Sequence, residues 1–154
     1  MNQEEFTINL FKLLRETFEG PPAEGGNAYL DKGAGLFQTL DGVSAETASR
    51  APWPGASTVA AHTYHARYYV DVLHNFLAGR EQTVDWNASW QVSQMDAAEW
   101  ESLKNDLRRA YDSLVESLES IEAWSDDPVG DSMAIVVHTA YHLGAIRQLL
   151  KAMQ

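Results

Sequence analysis

Two histidines near the end of the chain, His138 and His142, have the spacing of a pair of metal ligands. Four residues along an α-helix turn the chain by about 400°, so the second side chain lies about 40° around from the first and one turn further along. Two imidazoles in this arrangement can bind one divalent ion. The pair therefore predicts a metal site on a helix, although the spacing does not name a reaction.

A third imidazole is available in the segment HTYH, residues 62–65. In a helix that begins near Ser57 or Thr58, a residue type that caps helices, His65 lies at the centre of the apolar side. His62 lies about 60° to one side of it, and three interpretations of this residue stay open: a ligand, a partner of a ligand or an ordinary core residue. We take His65 as the predicted third ligand because it is nearer the centre of the face.

Both predicted ligand sets should point into the protein. His142 lies near the middle of the apolar stripe of its helix, as His65 does on its own. Burying an imidazole without a partner costs roughly 1–3 kcal/mol, and one shared ion satisfies all the rings. The alternative is that each is a core histidine bonded to a carbonyl. His74 lies about 180° from His65, so it is expected to face solvent and to bind no metal.

Three neutral imidazoles would leave the charge of a divalent ion uncompensated and at least one coordination position open, as in catalytic zinc sites. Such an ion lowers the pKa of bound water towards 7 or binds a thiolate. Imidazole suits zinc, nickel, copper and iron, so the ligands do not choose the metal. Each ligating ring is expected to donate its other N–H to an acceptor.

Composition limits the classes of partner. The chain has 154 residues, which suits one domain spanning 1–154, and it carries 11 Lys and Arg against 22 Asp and Glu, a net charge of −11. So acidic a protein would repel phosphate backbones and anionic lipids, which argues against nucleic-acid and membrane partners.

There is no cysteine, which excludes disulfides, thiolate ligands and a cysteine nucleophile. A polar N-terminus and the lack of a membrane-length apolar run lead us to expect a cytoplasmic protein.

Helical spacing dominates the chain, which predicts an all-α fold. Asp96 and Glu99 have the spacing of a capping box. Because glycine weakens a helix interior, a break in the helix predicted over 28–49 is expected near Gly42. Three tryptophans, at 86, 90 and 100, are expected to line a pocket mouth, to hold a loop or to lie in a dimer interface. The predicted helices cover about 3–18, 28–49, 58–78, 97–124 and 131–153.

Two stretches of the chain are informative when they are taken together. The first is STVAAHTYH, residues 57–65, in which Thr58 precedes His65 by seven positions, and the second is HTAYHLGAIRQ, residues 138–148, with its paired histidines and following glycine. In these stretches, in their order and in its helical pattern, the chain resembles the DinB-like family, also described as DinB/YfiT-like metalloenzymes.

The resemblance implies a four-helix bundle of up-down-down-up topology with one long crossover. It also implies a divalent metal, most often nickel or zinc, bound by His65, His138 and His142, and a homodimer. Family members with known activity include thiol-dependent transferases and a few hydrolases or isomerases. The leading hypothesis is therefore a metal-dependent hydrolase or thiol (S-)transferase acting on a small molecule, with a low-molecular-weight thiol as one candidate. The competing hypothesis is a non-enzymatic metal- or small-ligand-binding bundle.

Overall fold

The computed structural model describes residues 2–92 and 94–154, and within these ranges 66% of the residues are helical and no strand occurs. A short 3-10 helix, Ala88–Trp90, lies between the fourth and fifth α-helices. The prediction of an all-α fold is confirmed. The α-helices are α1 Gln3–Glu19, α2 Leu36–Asp41, α3 Ala45–Ser49, α4 Val59–Leu77, α5 Ala97–Glu119 and α6 Asp126–Ala152.

The four long helices pack around a continuous apolar core. Helix α4 packs against both α5 and α6, and α6 also packs against α1. Across the core, the ring of Phe18 in α1 stacks on the ring of Tyr111 in α5, with centroids 4.6 Å apart. The up-down-down-up order of these helices stays a prediction. Apolar core members with no more than 1% exposure include Leu14, Phe18, Leu107, Leu114, Ile135 and Ile146.

Helix starts follow the predicted capping chemistry. The side chain of Asp96 accepts a hydrogen bond from the N–H of Glu99, whose own side chain accepts from the N–H of Asp96, so the predicted capping box is confirmed. Thr58 caps α4, its hydroxyl accepting from the N–H of Ala61 at 3.0 Å. The Thr58 cap sets where α4 begins, and with it the direction in which His62 and His65 point.

The predicted helix over 28–49 is wrong in its first part. The structure has no helix over 28–35, and α2 and α3 are separated by the predicted break near Gly42. The carboxylate of Glu16, itself 1% exposed, accepts from the N–H groups of Ala28, Tyr29 and Leu30 at 2.5–2.6 Å. A buried carboxylate thus takes the backbone donors of this segment and holds it against α1.

The predicted boundary between the last two helices is also wrong. Helix α5 ends at Glu119 rather than near Trp124, and α6 begins at Asp126 rather than Asp131. Pro128 lies in the first turn of α6, where its missing N–H would have had no intrahelical acceptor, so the helix can begin before it. Acidic residues at 126 and 127 also favour a helix N-terminus there.

Within residues 2–92 and 94–154, none of the helices combines the length and the hydropathy needed to cross a bilayer.

Candidate metal site

The site is built from the facing sides of α4 and α6. On α4, His62 and His65 are both buried, with 9% and 6% exposure. On α6, His142 is buried at 1% exposure, and His138, one turn earlier, is half-buried. The helical period therefore directs both predicted sets of imidazoles into the protein, as expected from the sequence.

The three predicted ligands converge through their Nε2 atoms. The Nε2 of His138 lies 3.2 Å from that of His65 and 3.2 Å from that of His142. One ligand nitrogen from each of the three rings lies within 4.8 Å of the other two. Two nitrogens that bind one ion at about 2.1 Å with angles of roughly 90–110° lie about 3.0–3.4 Å apart, so both short separations fit a shared ion.

Hydrogen bonding alone does not account for this convergence. A neutral imidazole carries one N–H and one lone pair, each directed along a single line in the plane of the ring. The Nε2 of His138 faces two other nitrogens at the same distance, and it can form a directed hydrogen bond with only one of them. A cation between the three lone pairs satisfies all of them, so the donor set fits a divalent metal.

Burial keeps the rings neutral, which is the form that binds metal. It lowers the pKa of His142 to about 3, with the neighbouring rings of His138, His62 and His65 adding to the effect. Burial, together with His65, lowers the pKa of His138 to about 4. Burial also lowers the pKa of His62 and of His65. Near neutral pH the site therefore presents lone pairs rather than positive charges.

The outer nitrogens of the three rings, the Nδ1 atoms that point away from the convergent Nε2 atoms, have different surroundings. The Nδ1 of His65 lies 2.6 Å from the hydroxyl of Ser89, and the Nδ1 of His142 lies 2.9 Å from the Nδ1 of His62. The Nδ1 of His138 has no hydrogen-bond partner among the residues that the structure describes. His62 therefore lies beside His142, in contact with the nitrogen of that ring that points away from the convergent set.

Aromatic rings enclose the histidines. Trp90 stacks on His65 with centroids 4.1 Å apart and planes inclined by 21°, and Tyr69 stacks on His138 at 3.6 Å and 11°. Tyr141 meets His142 edge to face at 5.0 Å. The two stacked contacts each cover a face of a ring, that of His65 and that of His138, and restrict its rotation.

The other predicted roles have mixed outcomes. His74 lies outside the group, as predicted, but it is half-buried and its Nε2 lies 2.8 Å from the hydroxyl of Ser117 on α5, so the expectation of a solvent-facing ring is wrong. Trp86 and Trp90 line the site. Trp100 lies elsewhere, buried, with its indole N–H donating to the carbonyl of Val43 at 2.7 Å.

Sequence reasoning missed Ser89, which comes from a connection without periodicity, so no pattern pointed to it. Tyr69 follows His65 by four residues on the same apolar helix face, and the sequence favours packing over a catalytic role for it. That spacing was the available signal for a ring lying beside the histidines.

Comparison with known proteins adds no relative: no protein-family model matches the chain, and no curated protein or solved structure shows significant similarity to it.

Proposed function

We propose that this chain is a DinB-like metalloprotein in which His65, His138 and His142 bind one divalent ion, nickel or zinc. The observation that carries the proposal is the convergence of three Nε2 atoms, with two separations of 3.2 Å, among rings whose pKa values lie below the ordinary value. In this proposal α1, α4, α5 and α6 form an up-down-down-up bundle with one long crossover, and the protein acts in the cytoplasm.

We propose further that the site is that of a metal-dependent hydrolase or thiol (S-)transferase acting on a small molecule, with a low-molecular-weight thiol as cosubstrate in the transferase case. When bound, a divalent ion with three neutral ligands supplies an open position and a Lewis acid for water or a thiolate. The chain's own residues hold the ligand geometry: Trp90 and Tyr69 cover ring faces, and Ser89 and His62 contact outer ring nitrogens.

The competing proposal is a bundle that binds a metal or a small ligand without catalysis. The two differ in one respect that can be measured. An enzyme turns over substrate in proportion to bound metal, whereas a binding protein takes up stoichiometric metal and shows no turnover above a variant without the site.

The first experiment is elemental analysis of protein purified without a histidine tag, which we expect to find one divalent ion per chain. A screen with low-molecular-weight thiols and electrophiles, or with hydrolysable small molecules, then tests the reaction. His142→Ala is the variant without the site, and His74→Ala is the matched control because His74 bonds Ser117 away from the site. Absence of metal from the wild type, and equal metal uptake by wild type and His142→Ala, would each contradict the proposal.

We also propose a homodimer, with α6 as the face that meets the second copy. The stretch 132–146 contains no Asp, Glu, Lys or Arg, and Val137 and Tyr141 on its outer side are 67% and 70% exposed. Two chains that each carry a net charge of −11 repel one another, and an uncharged face is where their close approach meets the least local repulsion. When a second copy covers the exposed apolar side chains of this helix, their removal from water stabilises the dimer.

A further inference from the structure

We infer that Ser89 is a positioning residue that sets the tautomer of His65 and so prepares the Nε2 lone pair for metal. The inference rests on the proposed metal-binding function and adds a residue from outside the two helices that carry the ligands. Ser89 has 0% exposure and lies in the short 3-10 helix Ala88–Trp90. Its hydroxyl contacts a ring nitrogen and a backbone carbonyl at once.

The direction of the serine proton follows from the second contact. The Ser89 oxygen lies 2.6 Å from the carbonyl oxygen of Trp86, and a carbonyl can only accept. The single hydroxyl proton of Ser89 is therefore directed to Trp86. The 2.6 Å contact with the Nδ1 of His65 is then a hydrogen bond only if Nδ1 carries the proton and the serine oxygen accepts it.

That assignment decides the other nitrogen of the ring. A neutral imidazole protonated at Nδ1 has its lone pair at Nε2, and the Nε2 of His65 is the atom that approaches the Nε2 of His138. An acceptor on the outer nitrogen of a ligand also orients the ring and raises its basicity. Ser89 would thus influence metal binding only through the ring of His65.

The segment that carries Ser89 is held to the same part of α4. The N–H of Asp85 donates to the hydroxyl of Tyr68 at 3.0 Å, and its carboxylate accepts from the N–H groups of Asn87 and Ala88. Trp90, next to Ser89, stacks on the ring of His65. One short connection therefore supplies both the hydrogen bond and the ring contact that fix this ligand.

The tautomer can be tested in wild-type protein without metal. Nitrogen-15 NMR of labelled histidine distinguishes a protonated from an unprotonated ring nitrogen, and we expect His65 to show a proton on Nδ1 and a lone pair on Nε2 at neutral pH. In Ser89→Ala the two tautomers should become mixed. A wild-type His65 protonated on Nε2 would overturn the inference whether or not the protein binds metal.

Zinc affinity provides the second measurement. By competition with a chromogenic chelator, Ser89→Ala should raise the zinc dissociation constant about 10- to 100-fold, the usual effect of removing an outer partner of a ligand. Ser89→Thr keeps the hydroxyl and should restore the affinity, and Ser117→Ala, which removes the serine bonded to His74, should leave it unchanged. Equal affinity of wild type and Ser89→Ala would refute the role of Ser89, whereas failure of the wild type to bind either zinc or nickel would instead refute the proposed function.

Discussion

The ring of Tyr69 lies face to face with the ring of His138, with centroids 3.6 Å apart and planes inclined by 11°. His138 is the half-buried member of the three predicted ligands, and its outer nitrogen has no hydrogen-bond partner among the described residues. Its orientation therefore depends on stacking where His65 and His142 have polar partners. Metal binding should therefore be sensitive to substitution of Tyr69, whose ring orients His138.

Replacing Tyr69 by Leu should weaken metal binding, because the stacked ring that holds His138 is lost. An aromatic pair contributes about 0.5–1.5 kcal/mol beyond its burial, which corresponds to a rise of roughly 2- to 12-fold in the dissociation constant. Tyr69→Phe keeps the ring and should bind metal as the wild type does. A competition titration with zinc measures both variants, and a loss in Tyr69→Phe equal to that in Tyr69→Leu would contradict the stacking argument.

Removing metal should lower thermal stability. A ligand that binds only the folded state stabilises it by about 2.7 kcal/mol when its free concentration is one hundred times Kd. For a chain of this size that corresponds to a rise of about 5–10 °C in Tm. Differential scanning fluorimetry with zinc and with a chelator measures the shift. His142→Ala should show no zinc-dependent shift, and a shift of the same size in that variant would mean that zinc binds elsewhere.

Glu16 should make stability depend on pH in the acid range. Burial raises the pKa of its carboxyl, but hydrogen bonds from the N–H groups of Leu30, Tyr29 and Ala28 outweigh burial and leave the pKa below the ordinary 4.5. Because the folded-state pKa is the lower one, the stabilisation is present above about pH 4.5, the unfolded-state value, and is lost as pH falls through the folded-state pKa.

Glu16→Gln tests this contribution. The amide cannot accept three N–H donors as a carboxylate does, so we expect the free energy of unfolding at pH 7 to fall by about 1–3 kcal/mol. Urea titrations between pH 3 and pH 7 should show a smaller acid dependence in the variant than in the wild type. Parallel curves for the two proteins would show that Glu16 is not the group responsible.

The proposed dimer predicts that a charge on the outer side of α6 dissociates it. Val137→Glu places a carboxylate where two acidic chains would meet, and the resulting repulsion and desolvation should leave a monomer. Light scattering coupled to size-exclusion chromatography measures the mass. Ser113→Glu adds the same charge to an exposed position of α5 and should remain dimeric. A monomeric wild type would remove the proposed interface.

Much of the fold follows from local rules that the sequence carries by itself. The 3.6-residue period identified the long helices and the inward direction of His65 and His142, and the capping positions of Thr58 and Asp96 were readable because a cap depends on residues only three positions away. One error, over residues 28–35, arose where a distant group intervened. Residues 28–30 are not helical because their N–H groups donate to the buried carboxylate of Glu16 in α1 instead of to helix carbonyls.

The support of the candidate site was decided only by the tertiary structure. His62 meets His142 across 80 positions of sequence, and Ser89 meets His65 across 24. No periodicity relates such residues, because their contact depends on how α4, α6 and the connection 85–90 pack together. The helical period could predict which three imidazoles point inward. It could not predict the distances between their nitrogens or the Ser89 hydroxyl that sets the tautomer of His65, because both depend on the packing of separate elements.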